Sequence, residues 1–510
     1  MLEKQTVRAH RERNLVAKRY RPGMARVALI YPSYYHVAAS TLAYQMLYYY
    51  LNSIEEFYVE RIVLPDEPGE KPLSLESRKP LSWFDIAFIS IHYEPDYANL
   101  LRILEQGGVN PYSERREDTV IVAGGPPIIA NPAPVEKALD VAVVGEIEST
   151  LPYLVDRYLE YIDDRDGFLD SLRGEDGFYV PRRGRERVYM SYAVPLPRGF
   201  HPVGQFYRPG AEHRFMVETN RGCFRMCSFC MEGHIFSYMR ERPLSDVLEI
   251  VEEGVRLNDV NKVTFISLSF FDYSHSDELL EKIAEAGLEA SIPSLRAETL
   301  NEERLRLMRG VGQKTLTIAP ETGSRELAIR LRKYIPLEKA YEVAVAAHKL
   351  GFKALKLYFM VGIPGEREED LEASIEYIRE LSGAGFKGNS LRVTVSPLVP
   401  KPHTEFEREA WIGLGEARRR IRLMKKKLGG LAEVRPYDPR WARIQTVLSR
   451  GGNELFELLL LWGRSGGGLG GWRRALRGSG MDVEKYLGRL EGDLPWSHIV
   501  LPGRPRILRA

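Results

Sequence analysis

The sequence predicts an α/β protein in three parts: an N-terminal doubly wound parallel sheet, a central partly open barrel of six strands, and a small, mostly helical C-terminal region. Three observations carry that prediction. Short apolar runs alternate with helix-length segments between residues 25 and 150, the pattern of a parallel sheet wound through crossover helices. The alternation resumes near residue 215 and makes six strand-and-helix steps by residue 395, fewer than the eight units and ~250 residues of a closed (β/α)8 barrel. Between the two lies a stretch at 163–200 rich in Arg, Gly, Asp and Pro, in which 177–181 looks like a short strand and 195–202 like a linker. The expected boundaries are a basic arm over 1–21, the sheet domain with its linker over 22–200, the barrel over 201–405 and a helical extension over 406–510.

At 510 residues the chain exceeds what one ordinary core sustains. Hydrophobic content of 44% and charged content of 28% describe a soluble globular protein. No apolar run reaches the ~18 residues of a membrane-spanning helix. Residues 1–21 are basic and polar without an apolar signal core, so neither secretion nor spanning is expected. Three cysteines, clustered rather than paired, fit a reducing cytoplasm. The net charge of +2 gives no global argument for nucleic acid. Charge is uneven, however: Arg418, Arg419, Arg420, Arg422, Lys425, Lys426 and Lys427 crowd one segment. That run reads as a solvated helix face, with a phosphate-facing surface as the alternative.

In the first part, strands are expected at 25–31, 58–64, 86–91, 120–123 and 141–144, with helices at 38–51 and 96–106 among the connections. Ligands on such sheets bind beyond the carboxyl ends of the strands. Ser33, His92, Gly124, Gly125, Pro126, Gly145 and Glu146 fall there. No G-x-G-x-x-G follows the first strand, which argues against a nicotinamide cofactor.

In the barrel, strands are expected at 215–219, 262–268, 289–292, 315–319, 354–360 and 390–395. Polar residues gather where these strands end, the rim that carries chemistry in such barrels. They include Ser267, Ser269, Asp272, Arg296, Glu321 and the Gly362-Ile363-Pro364 turn. Each alone suits a turn or a helix cap, as Ser324 does; one polar group per strand end around a common rim is harder to read as structural.

All three cysteines lie on the loop after the first barrel strand, spaced C-x3-C-x2-C: Cys223, Cys227 and Cys230, with Phe229 before the last. Three thiolates on one tight loop suit three irons of a four-iron cubane, leaving one iron open to another ligand. The alternative is a zinc knuckle completed by His234, although most structural zinc sites use two C-x2-C pairs and this chain has one.

These residues resemble the signature of radical S-adenosylmethionine (SAM) enzymes. The resemblance implies a [4Fe-4S] cluster held by Cys223, Cys227 and Cys230, with SAM chelating the open iron and being reductively cleaved to start radical chemistry on an unreactive carbon. It further implies that Phe229 lies near the adenine, that Ser267, Ser269 and Glu321 meet the amino group and ribose, that Arg296 meets the carboxylate, and that Gly362 and Ile363 form an apolar adenine contact. The second strand reads Ser267-Leu268-Ser269 where the superfamily usually has Gly-Gly-Glu. A reductant such as a ferredoxin or flavodoxin is the implied partner.

Through Arg26 to Pro32, Ser82 to Ile91, Ala123 to Pro126 and Val144 to Glu146, the N-terminal half resembles the cobalamin-binding-like domains fused to such barrels, and with 357–360, 399–404 and 493–496 the likeness to one subfamily of such fusions extends over roughly 22–498. Cobalamin is therefore a third candidate cofactor, which would direct the chemistry to methyl transfer; without it, C–C or C–S bond formation or rearrangement is the alternative. The cobalt-ligating D-x-H-x-x-G has only 34–39 as its nearest equivalent, lacking both Asp and Gly, so His36 reads as a loop or packing residue. No cysteine remains for a second cluster. The rival of another class is a zinc-stabilised RNA-binding or interaction protein using 418–427. Lys401 and His403 near the barrel mouth, and Trp472, Trp496 and His498 beyond it, suit packing, with a cover over the barrel's open side as the alternative. Neither the substrate nor a catalytic residue beyond the cofactor ligands can be read from the sequence: a lipid, an RNA base, a peptide and a small metabolite all suit this chemistry.

Overall fold

The computed structural model describes residues 5–7, 12–67, 69–207 and 213–502. Strand β1 (Ala25–Tyr34) is apolar along its core, with Val27, Ala28, Leu29 and Ile30 fully buried. A strand buried on both faces needs helices on both sides, and parallel crossovers supply them. With β2 (Phe57–Leu64), β3 (Ile86–Ser90), β4 (Val120–Gly124), β5 (Val141–Val143) and β6 (Phe178–Tyr179) it forms one sheet in the order β2-β1-β3-β4-β5-β6. All pairs are parallel except β5 with β6. The chain changes direction across the sheet between β1 and β3, so a ligand crevice is expected at the carboxyl ends of these two strands.

The barrel begins with β7 (Phe215–Glu218), β8 (Lys262–Ile266) and β9 (Glu289–Ser291). It continues with β10 (Thr315–Glu321), β11 (Ala354–Val361), β12 (Gly388–Pro397) and β13 (Ala432–Pro436). Neighbours pair in parallel within each group, and a single bridge from Leu295 to Ile318 links the two groups. Alternate residues such as Leu316, Ile318, Leu355, Leu357, Val393 and Val395 are fully buried. The six expected strands are present, and β13 is a seventh that the sequence reading left outside the barrel. Its residues are half-buried or exposed, as an edge strand's are, so it lacks the apolar signature of its neighbours.

The described parts of the N-terminal arm and of the C-terminal region are both fastened to the sheet domain. Residues 1–4 and 8–11 of the basic arm lie outside the described residues, but Glu12–Asn14 is a short strand and Glu12 is buried. Glu12 and Glu76 both pair with the fully buried Arg61, at 2.7 and 2.6 Å, while Tyr48 and Phe206 cover the guanidinium. The C-terminal helices dock on the sheet domain. Helix Phe456–Arg464 packs on Asp96–Gln106 of the sheet domain, and Leu455, Leu459, Trp462 and Trp472 share a core with Leu100 and Leu104. Gly463 permits that approach, since a Cβ there would stand 2.6 Å from the Ala98 carbonyl oxygen. The strand Ile499–Val500 pairs with Val188–Tyr189, and the His498 ring packs 4.8 Å from Tyr179. Lys401 and His403 also fasten the parts together, Lys401 to Glu94 and Ser449, His403 Nε2 to the Ala130 carbonyl oxygen at 3.0 Å. In the basic run, Arg419, Arg420 and Lys427 pair with Glu368, Glu366 and Glu372 of the neighbouring helix and loop.

The sheet domain meets the barrel through an ion network. Glu146, just after β5, accepts hydrogen bonds from Arg240 at 2.7 and 2.8 Å and pairs with Arg221 at 3.1 Å. Glu148 receives Arg221 in a bidentate pair at 2.6 and 2.9 Å, and Glu218 at the end of β7 bridges Arg221 and Arg242. Burial works against an ionised Glu218, but Arg221 and Arg242 more than offset it and hold its carboxyl well below the usual range. Three carboxylates thus face three guanidiniums in a largely dry interface, where fork geometry makes each pair specific.

Replacing Arg61 by Met, which keeps its length and removes its charge, leaves Glu12 and Glu76 buried without a counter-charge. A loss of about 3–5 kcal/mol is expected, visible as a lower Tm in thermal unfolding; an unchanged Tm would contradict the assigned role. Glu146→Ala unpairs Arg240 at a cost of about 2–5 kcal/mol across the interface. Faster limited proteolysis in the 195–202 linker is the expected readout, and wild-type cleavage rates would count against the clamp.

Candidate active site between the sheet domain and the cysteine loop

A cavity of about 450 Å³ opens where the carboxyl ends of β3, β4 and β5 face the start of the barrel. This lies within the ~300–1,000 Å³ of small-molecule and cofactor sites. Apolar walls come from both domains, among them Met46, Phe88, Ile129 and Leu154 on one side and Ile266 and Leu268 on the other. Ile266 and Leu268 are large side chains left 37% and 39% exposed, an apolar surface the fold does not itself cover. Tyr34, Tyr35 and His36 do not line it; His36 is exposed and stacks on Tyr34. Gly125 sits on the wall with φ +111°, and its lack of a Cβ answers packing, since one would stand 2.0 Å from the Ile91 carbonyl oxygen.

The cysteine loop borders this cavity. It starts from a two-residue ladder pairing Asn220 with Glu241 and Arg221 with Arg240, and ends in the short helix Met231–Ile235. Gly222 makes the turn at φ +83°, and any side chain there would strike the carbonyl oxygens of Phe236 and Tyr238. The loop itself has no regular structure, so distant groups fix it. Arg225 forks onto Asp272 at 2.9 and 2.6 Å, Asp272 receives the Ser269 hydroxyl at 2.6 Å, and Ser228 donates to the Arg330 carbonyl and to Glu405.

The three cysteines are free thiols, Cys227 buried and the other two half-buried. Backbone N–H groups of Arg225 and Gly233 point at the sulfurs of Cys223 and Cys230, each at 3.4 Å, and Arg296 reaches the Cys227 sulfur at 3.7 Å. Such donors stabilise thiolates and tune iron–sulfur centres. Burial pushes the Cys230 thiol up to about 12 and raises that of Cys223, so metal loading has to release their protons. Among the described residues no three His, Cys, Asp or Glu side chains converge on a single-ion site. His234, the fourth ligand of the zinc alternative, places Nδ1 2.8 Å from the Cys230 carbonyl oxygen of its own helix.

The other expected site residues divide into two groups. Phe229 packs against an apolar cluster that includes Leu331, Met360 and Ile363. Gly362 adopts φ +80°, and its N–H donates to Glu366. Arg296 lies beside Cys227 and is paired with Glu298. Ser267 lines the cavity, its hydroxyl accepting from the Ser269 N–H at 3.0 Å. Ser269 is spent on Asp272. Glu321 accepts from Lys333 at 2.7 Å and holds a left-handed φ of +69°, a conformation costing about 1–3 kcal/mol in a non-glycine residue.

Lys333, Arg225 and Asn220 were not singled out from the sequence. Lys333 sits 5.8 Å over the Phe229 ring, and Asn220 lines the cavity with a buried amide nitrogen that has no hydrogen-bond partner among the described residues. Arg225 lies inside the cysteine motif and Asn220 three residues before it, but the Asp272 on which Arg225 forks is 47 positions away, and Lys333 belongs to no motif.

Comparison with known proteins gives this geometry a context. The model of the N-terminal region of radical SAM proteins matches residues 43–181, and that of the radical SAM superfamily matches 217–378. An uncharacterised protein of Methanocaldococcus jannaschii is 32% identical over 484 residues, covering 93% of this chain and 98% of its own length. Cytidylyl-2-hydroxyethylphosphonate methyltransferase of Streptomyces wedmorensis is 31% identical over 222 residues, 41% of this chain and 38% of that one. The fold resembles the radical SAM methyltransferase TsrM of Kitasatospora setae, solved with cobalamin and a [4Fe-4S] cluster, with a TM-score of 0.54, 17% identity, and coverage of 76% of this chain and 74% of that one. Among the described residues no helix is long and apolar enough to cross a membrane. With both family models matched in register with the two domains, and a relative alike over nearly its whole length, the chain belongs to the radical SAM superfamily: an enzyme of [4Fe-4S] and SAM chemistry that requires a reductant.

Proposed function

We propose that this enzyme is a cobalamin-dependent radical SAM methyltransferase acting on an unreactive carbon, in a reducing cytoplasm and with a ferredoxin- or flavodoxin-like electron donor. The observation that carries the reading is the cavity of about 450 Å³ between the strand ends of the sheet domain and the cysteine loop. The methyltransferase names of the Streptomyces and Kitasatospora proteins support it.

In this reading Cys223, Cys227 and Cys230 would hold three irons of a [4Fe-4S] cluster, leaving one iron for SAM. When bound, the cluster and SAM supply one-electron cleavage of a sulfonium C–S bond, and cobalamin supplies a transferable methyl group. The chain's own residues position and shield. Arg225, Asp272 and Ser269 fix the loop; Phe229, Met360 and Ile363 form an apolar shelf for a flat base. Arg296 sets a positive charge beside the Cys227 sulfur, where a carboxylate can join it. Lys333 pairs with one oxygen of Glu321, and the other oxygen can take an ammonium or hydroxyl donor. Ile266 and Leu268 exclude water from the cavity, and the Asn220 amide offers one donor to whatever fills it.

Anaerobically purified protein is expected to be brown with about four iron and four sulfide per chain, and a colourless zinc protein would contradict the assignment. Cys227→Ala is expected to abolish reductive SAM cleavage; unchanged release of 5′-deoxyadenosine would refute its role. Reconstitution with hydroxocobalamin followed by gel filtration is expected to retain about one corrinoid per chain. Protein that retains none yet still cleaves SAM would favour cobalamin-independent bond formation or rearrangement instead.

A further inference from the structure

His92 is the one imidazole among the residues lining the interdomain cavity. It follows β3, and its ring stacks on Tyr31 of β1 with centroids 5.7 Å apart. It therefore stands at the β1/β3 switch point, where doubly wound sheets hold their ligands. Its Nε2 lies 3.0 Å from the hydroxyl of buried Ser90. That is the only hydrogen bond its ring makes among the described residues. Tyr31 is held in turn by Thr41, whose hydroxyl lies 3.3 Å from the Tyr31 oxygen. The imidazole is thus fixed in plane and in rotation, with Nδ1 left over. Burial lowers its pKa to about 4, so the ring is neutral near pH 7 and keeps a lone pair.

The other candidate donors on this wall are committed. Glu146 and Glu148 are bound by Arg240 and Arg221, and Glu218 by Arg221 and Arg242. Glu232 belongs to the barrel side, next to the cysteine loop. Resting on the corrinoid reading above, we propose that His92 is the axial ligand to cobalt on the sheet-domain face of the cavity, with Ser90 accepting its Nε2–H and so presenting Nδ1 to the metal. A hydrogen-bond partner on the second ring nitrogen is what orients metal-binding histidines and sets their tautomer. The sequence reading looked for this ligand after the first strand, at His36; the fold supplies it after the third.

The test uses the full-length protein and cob(II)inamide, a corrinoid without a nucleotide base, so that any axial nitrogen comes from the protein. In the electron paramagnetic resonance spectrum one axial nitrogen-14 splits the high-field cobalt lines into triplets. Triplets are expected for the wild type and their loss for His92→Ala. Ser90→Ala is expected to keep them while binding cobinamide roughly 10–100-fold more weakly. Should His92→Ala not fold, wild-type protein labelled with nitrogen-15 histidine replaces it, and the triplets are expected to become doublets. Bound cobinamide without nitrogen splitting, or triplets that survive labelling, overturns the His92 assignment and leaves corrinoid binding standing. Failure of the wild type to bind either cobinamide or cobalamin overturns both.

Discussion

The Glu146 carboxylate, shared between Arg240 and Arg221, is the contact on which the arrangement of this enzyme turns. It leaves the end of a sheet-domain strand and grips both strands of the small ladder from which the cysteine loop springs. Arg221 stands two residues before Cys223, so the position of the first cysteine is set by a carboxylate from the other domain. Burying such charges carries a desolvation cost that only well-formed pairing offsets. Glu148 and Glu218 complete that pairing, and the network tolerates little rotation between the domains without exposing a charge.

From this contact the rest of the site follows in order. The loop carries no regular hydrogen-bonding ladder, so its shape depends on long-range side chains: Arg225 on Asp272, Ser228 on Glu405 and the Arg330 carbonyl, Phe229 in the apolar cluster with Ile363. One conformational cost sits here, Glu321 in the left-handed region beside Lys333, while Gly222 makes a turn that only a residue without a Cβ can make. Strain held in place by ion pairs is a mark of preorganisation. On the opposite side, the sheet domain contributes strand ends, an apolar wall and a fixed imidazole. The cavity between the two sides exists because neither domain fills the gap with its own large residues, Ile266 and Leu268 remaining uncovered.

Much of this was legible in the sequence, and the limits have physical causes. The spacing of Cys223, Cys227 and Cys230 is local, and strands such as 215–219 and 354–360 announce themselves by apolar runs, so loop and barrel could both be placed. Strand Ala432–Pro436 escaped the barrel because an edge strand has few buried positions to pattern. Ser269 looked like a ligand contact because strand ends face the rim, yet its hydroxyl is spent on Asp272. Glu146 was visible as a strand-end residue, but its partners lie 75 and 94 positions away at Arg221 and Arg240, and nothing in composition marks such pairings. The C-terminal helices read as an extension because their apolar faces do not say which domain they cover; Gly463 against Ala98 shows it only in three dimensions.

The central claim is that the cavity holds a corrinoid next to the cluster held by the cysteine loop. Both centres can be made paramagnetic, the cluster by one-electron reduction and the corrinoid as cobalt(II). Electron paramagnetic resonance of protein carrying both measures their separation directly through spin–spin coupling. The account predicts coupling that broadens both signals, and that disappears when the corrinoid is omitted. Two independent, unbroadened signals, with both cofactors bound, would contradict it.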